Sequence, residues 1–267
     1  MALWSHGAHA GIPVIEPMTE AQKLGAVFYD PLSIPSPGEV FAALNKECHP
    51  NWLTFGIPVA APVTTDRNQL ALAVGVLVAN GYIAVEAQDG QQVKNIGRDI
   101  LSVAKSLGIS KNLMSRGNSL IEFAKNNAWD SLADELEATE NEVKRTMVEQ
   151  KDRSLVSLIS AAAWLRGVDV ATKIILSDDS LRGIALIRQP ELARHLASEL
   201  EALPERVKKR PLVVQVRQCL DYVAVQLESM GSTPDEERPV LKNIHDKCTQ
   251  LVSAIFSRSG MATLSSP

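Results

Sequence analysis

Aromatic residues make up only 4% of the 267 residues, although hydrophobic residues reach 45%. The core is therefore built from Ala, Leu, Val and Ile, a composition that suits packed helices better than a β-sandwich or barrel. Cysteine is scarce: Cys48, Cys219 and Cys248 are too few for a secreted disulfide framework. Neither sign of charge dominates, and the formal net charge of -4 argues against a dedicated nucleic-acid binder, which carries a basic footprint. The one basic cluster, Arg206, Lys208, Lys209 and Arg210, reads as a solvated helix end. Strong catalytic signatures are also missing, with no glycine-rich phosphate loop, G-x-S-x-G, H-E-x-x-H or C-x-x-C. Glu191 and His195 are four apart on a helix, which is not the paired Glu-x-x-His pattern of a di-iron bundle. Nothing in the sequence calls for a cofactor.

Proline is absent from residues 63–189 but dense before them. Because proline removes a backbone donor and breaks helix interiors, residues 1–65 read as a mostly extended arm with short helices. Thr19 is a cap for a helix over residues 20–27, and Ser36 followed by Pro37 starts another reaching about residue 47. Residues 51–64 read as a loop. Its Trp52, Leu53, Phe55 and Ile57 are costly to leave in water, so it is expected to lie across the helical body. At the amino end, Ala8-His9-Ala10 has the small-x-small form of a signal-peptidase site, without the basic residue or apolar run that a signal needs upstream. It reads as a plain terminus or as the remnant of a signal peptide, and leaves the compartment open between cytoplasm and export.

What the chain has in abundance is helical periodicity over residues 66–258, the expected all-helical domain, followed by a polar tail at 259–267 that reads as disordered. Residues 70–87 are apolar on every side except for Asn80 and Glu86. As a helix, residues 70–85 span about 24 Å, short of the roughly 30 Å hydrocarbon core of a bilayer. With Asn80, Gly75 and Gly81 inside, the stretch reads as a buried core helix rather than a membrane span, and Asp66 is its capping candidate. Ala71, Gly75 and Ala79 recur every four residues and make a flat strip for another helix backbone. The expected partner is the second apolar segment, residues 155–176.

Downstream, Gly90 marks a break, and the stripe Val93, Ile96, Ile100, Leu101, Ala104 and Leu107 ends at Gly108. Ser110 and Ser119 read as the starts of two short helices. A charged segment from Asp130 carries Leu132, Leu136, Val143 and Met147 and is placed on the outside, with Glu137, Glu140 and its other acids as a solvated face. Pro190 opens a helix with Leu192, Leu196, Leu200 and Leu203 on one side. The last third reads as a helical hairpin with matching apolar stripes on either side of Gly231-Ser232-Thr233-Pro234.

Two constellations carry the candidate chemistry. In the hairpin, Cys219 and Cys248 are almost equidistant from the turn, with His245 on an adjoining face. Three readings compete there: small core residues, a disulfide across the hairpin, or a Cys-Cys-His metal site lacking a fourth ligand. Between the two apolar helices, a buried Arg166 needs a carboxylate. Glu86 or Asp89 is the expected source, while Asp169 and Lys173 are spaced to form a ladder with Arg166. The group reads as a structural ion pair or as the polar floor of a ligand pocket with Tyr82, Gln92, Arg98 and Trp164 nearby.

The fold reading is all-α, a bundle or irregular helical array with a proline-rich arm. The functional reading is a non-enzymatic scaffold that binds protein, with homo-oligomerisation open, no nucleic acid and no membrane span. A small-ligand or metal-binding helical protein is the alternative, and an enzyme with an unfamiliar site stays open.

Overall fold

The computed structural model describes residues 36–55, 62–108 and 110–257, and for 110–115 the backbone only. The expected helix over 20–27, the Ala8-His9-Ala10 segment, Ile57 and the tail 259–267 lie outside the described residues. The fold is all-α. The helices are α1 (Pro37–Cys48), α2 (Arg67–Glu86), α3 (Gly90–Leu107), α4 (Ser110–Lys125), α5 (Trp129–Glu149) and α6 (Arg153–Leu176). They are followed by α7 (Ile184–Ile187), α8 (Pro190–Glu201), α9 (Glu205–Lys208), α10 (Pro211–Glu228) and α11 (Pro234–Phe256), and a 3-10 turn spans Trp52–Thr54. Among the described residues there is no strand.

Helices α2 and α6 form the axis of the array. Both are apolar on all sides, and both are buried along almost their whole length. Their length and composition would suffice to cross a membrane, but other helices enclose them here. Arg67 pairs with Asp152 near their starts, Gly75 lies on Ile159 and Ala163, and Asn80 meets Arg166. Residue numbers rise together along both helices, so the two run parallel. Parallel neighbours need a crossover, which α3, α4 and α5 supply by packing in sequence, α5 returning against α2. On the opposite side α11 runs antiparallel to α6, with α8 and α10 packed beside them, and α1 crosses both α2 and α6.

The helix ends follow local chemistry. Asp66 accepts from the Asn68 N–H at the start of α2, and Asp89 accepts from Gln91 and Gln92 at the start of α3. The chain turns between α2 and α3 at Gln88, between α4 and α5 at Asn127, and between α5 and α6 at Lys151, each with positive φ. The break expected at Gly90 lies at residues 87–89, and Gly90 is the first residue of α3. Gln69 donates to the carbonyls of Ile255 and Ser257, so the first turn of α2 satisfies the end of α11. Arg238 does the same for Leu176 and Asp178 at the end of α6.

Two expectations need correction. Ser119 does not start a helix: α4 runs unbroken through it. Gly117 sits within α4, where a Cβ would lie 3.2 Å from the Leu101 side chain, so its smallness serves packing and not a stop. Helix α5 is not wholly an outer helix either, since Glu140 and Lys144 are buried together. The loop expectation held for Trp52 and Phe55, which are buried, but Leu53 points outward.

Helices α2 and α6 approach closely at Gly75, where an added Cβ would stand 2.2 Å from the Ile159 carbonyl oxygen and 2.8 Å from the Ala163 nitrogen. Neither backbone atom can rotate away. Gly75→Ala is expected to destabilise the fold by about 1–3 kcal/mol through overpacking, despite the gain in helix propensity. Gly97 in α3 meets nothing within 4 Å, so Gly97→Ala is expected to stabilise by up to about 1 kcal/mol. Denaturant unfolding of the two variants checks the opposite signs.

Candidate functional site

Arg166 and Asp169, one turn apart on α6, are 2% and 1% exposed. A charge so buried is tolerated only with partners for its whole donor and acceptor set. Each guanidinium nitrogen has a partner: Nη1 lies 2.5 Å from Asp169 Oδ2, Nε donates to Asn80 Oδ1 at 2.9 Å, and Nη2 donates to the Phe55 carbonyl at 3.0 Å. The second carboxylate oxygen, Asp169 Oδ1, accepts from Thr249 Oγ1 at 2.7 Å and faces His245 Nδ1 at 2.9 Å. His245 Nδ1 is also 3.1 Å from the Asp169 carbonyl. The pair thus joins α2, α6, α11 and the turn that follows α1.

The electrostatics follow from these contacts. Burial pushes the Asp169 carboxyl up, but hydrogen bonds from His245 and Thr249 and the charge of Arg166 outweigh it and hold the group below the usual carboxylate range. Burial pulls Arg166 below its ordinary value and Asp169 opposes the shift; a guanidinium stays protonated throughout. Hydrogen bonding to Asp169 holds the half-buried His245 imidazole above its ordinary range, against the opposing effect of burial.

The other expected pocket residues do not converge on this pair. Glu86 and Asp89 are not partners of Arg166. Asn80 is the α2 residue that meets Arg166, and Glu86 stands six residues further, about 9 Å along the axis. Glu86 sits half-buried, its carboxyl pushed up by burial and by Asp130, and Asp89 is occupied as the α3 cap. Lys173 leaves the ladder and lies 5.3 Å over the Phe55 ring. Gln92 is half-buried in the first turn of α3, and Arg98 is exposed. Tyr82 belongs to a second buried cluster, donating to Glu140 Oε2 at 3.3 Å while Glu140 pairs with Lys144 at 2.8 Å. Burial and the Glu140 charge raise the Tyr82 phenol, which stays a neutral donor. Trp164 lines a small apolar cleft with Pro37, Val40, Val168 and Ile187, whose volume of about 20 Å³ is roughly that of one water.

In the hairpin, Cys219 and Cys248 are buried free thiols. His245 turns from them to Asp169. Among the described residues no group of three or more His, Cys, Asp or Glu is placed to hold a metal ion. The basic cluster is largely neutralised, Lys208 and Lys209 by Glu205 and Arg210 by Asp66.

Thr249, Asn80 as a partner of Arg166, the Phe55 carbonyl and the Glu140–Lys144 pair escaped the sequence reading. The last had a signal. Leu132, Leu136, Glu140, Val143 and Met147 share one helical face, and Glu140 occupies a core step of that stripe. The arrangement contains no activated nucleophile and leaves neither oxygen of Asp169 free; its chemistry is that of a polar latch.

Arg166→Met strands a buried carboxylate and is expected to cost about 3–5 kcal/mol. Arg166→Met with Asp169→Leu removes both charges and should cost less than the sum of the two single changes, as a double-mutant cycle by denaturant unfolding would measure. His245 binds its proton more tightly in the folded chain. Its contribution is therefore fully present below the unfolded imidazole value of about 6.5 and is lost as pH rises through the higher folded value. The melting temperature should fall across that interval, and His245→Gln should remove that part of the slope.

Compared with protein-family models, curated proteins and solved structures, the chain matches none of them.

Proposed function

We propose that this chain is a non-enzymatic helical scaffold that binds another protein, and that the turn around Leu53 is part of its contact surface. The observation that carries this reading is the way one exposed leucine is held. A single apolar side chain on a surface is ordinary and usually mobile. Leu53 is 66% exposed, yet it stands between two anchored neighbours. Trp52 is buried, its indole N–H bonded to Asn45 Oδ1 at 2.9 Å and its ring 5.4 Å from that of Phe41. Phe55 is buried beneath Lys173, and its carbonyl is bonded to Arg166. Val63, 87% exposed, adds a second apolar side chain a short distance along the chain. A preorganised apolar knob loses little conformational entropy on binding, which favours it as an anchor in a partner's pocket.

The polar groups between α2 and α6 support the same reading, because their hydrogen bonds are made within the protein. The test is crosslinking of the full chain in its native cells, with crosslinked partners identified by mass spectrometry, for the wild type and for Leu53→Glu. The expected result is a partner captured by the wild type and lost, at least tenfold, in the variant, with the melting temperature within about 2 °C because the side chain is exposed. An unchanged partner set in Leu53→Glu would overturn the reading. Native mass spectrometry gives the second readout: a small molecule or metal carried by the folded chain and released on denaturation would move the assignment to a ligand-binding protein.

A further inference from the structure

The seam between α6 and α11 reaches the surface beside the turn that carries Leu53, and its exposed side chains there are cations. Thr249 and His245 meet Asp169, and Arg238 donates to the carbonyls of Leu176 and Asp178, so the register of this antiparallel pair is fixed at both ends. Residues 238, 242, 245 and 249 share one face of α11. Lys242 therefore lies between the two anchored points, within about one turn of the level of Lys173 on α6. Both lysines are exposed. Among the described residues neither ammonium has a carboxylate within pairing distance, although Asp246 stands one turn along from Lys242. The acids at the end of α6 are engaged elsewhere, Asp178 with Arg182, and Asp179 at 3.9 Å from Arg238. Lys173 ties this strip to the turn. Its ammonium lies 5.3 Å over the Phe55 ring, and Phe55 is two residues from Leu53, at most about 7 Å along the backbone. A lysine resting on an aromatic face keeps its charge and gives up part of its rotamer freedom, so it is held in place as Leu53 is.

We infer that the partner of this chain is an acidic protein surface, which receives Leu53 in an apolar pocket and sets carboxylates against Lys173 and Lys242. The inference rests on the reading of Leu53 as a contact residue and adds the chemistry of what that residue meets. Cations at the rim of an apolar anchor speed encounter with an acidic partner and reject a basic one. The same residues are a poor match for an anionic bilayer, which is held by clusters of about four to eight Lys or Arg or by a broad apolar helix face. Here one exposed leucine stands beside two unpaired lysines.

The test is carbodiimide crosslinking of the full chain in extracts of its native cells. This reagent joins an ammonium directly to a carboxylate without a spacer, so each link mapped by mass spectrometry reports a contacting pair. The expected result is amide links from Lys173 or Lys242 to Asp or Glu residues of another protein, absent in Leu53→Glu. Capture is measured in parallel with a photo-activated crosslinker that needs no lysine. Lys173→Gln with Lys242→Gln should lower it about fivefold, while Lys173→Arg with Lys242→Arg should keep it. Lys242→Gln alone, which leaves the Phe55 contact in place, should lower it about twofold. Leu53-dependent capture that the double Gln variant leaves unchanged would overturn this inference and spare the scaffold reading. Absence of any Leu53-dependent capture would overturn both. Binding of the wild type to phosphatidylserine–phosphatidylcholine vesicles, lost in the double Gln variant, would overturn the inference in favour of a membrane surface.

Discussion

The structure depends on the parallel contact between α2 and α6. Each helix is apolar around its whole circumference, so each must be enclosed, and enclosing one against the other is the arrangement that buries most surface. The approach is close because Gly75 leaves space for the Ile159 carbonyl, between Ala71 and Ala79 on the same face. Parallel direction then dictates much of the rest. The chain leaves α2 at one end of the array and must enter α6 at the other, which accounts for α3, α4 and α5 as the crossover. The remaining face of α6 is left for α8, α10 and α11 to cover.

A strip of small residues repeating every four positions packs closely. A slip of one helical turn would set Ala71 or Ala79 where Gly75 stands, and its methyl would meet the Ile159 carbonyl as the Gly75→Ala side chain would. The polar residues reinforce that register. Arg166 finds Asn80 only in the observed register, and a slipped arrangement leaves a buried guanidinium short of an acceptor. Because Asp169 also receives Thr249 and His245, and Arg166 holds the Phe55 carbonyl, the same residues set the position of α11 and of the turn after α1. The charges serve specificity here, while the apolar surface supplies most of the stabilisation.

The sequence discloses these two contributions unequally. The apolar helices, the Asp66 cap of α2, the Gly75 strip, the terminal hairpin and the burial of Trp52 and Phe55 are legible because each rests on local spacing or on one physical cost. The partner of Arg166 was only half legible. An i, i+3 carboxylate on the same helix competed with Glu86 and Asp89, and choosing between them requires the depth at which α2 lies against α6, a long-range quantity. Glu140 illustrates a different difficulty. It stands among several acids on α5, so composition assigns it to solvent, while its step on the Leu136 and Met147 stripe assigns it to the core. Position outweighs composition there because Lys144, one turn on, is buried with it and neutralises the charge.

The latch also bears on where this protein can act. The hydrogen bonds of Arg166 and Asp169 hold four segments together. One of those segments ends at the surface. The Phe55 carbonyl is fixed from beneath by Arg166, the Phe55 ring lies under Lys173, and Trp52 is fixed by Asn45, so the orientation of Leu53 between them is set by the centre of the fold. A change in the α2–α6 register would therefore bear on that turn through the Phe55 carbonyl. The register of the central helices and the placing of the turn after α1 thus depend on the same buried arginine.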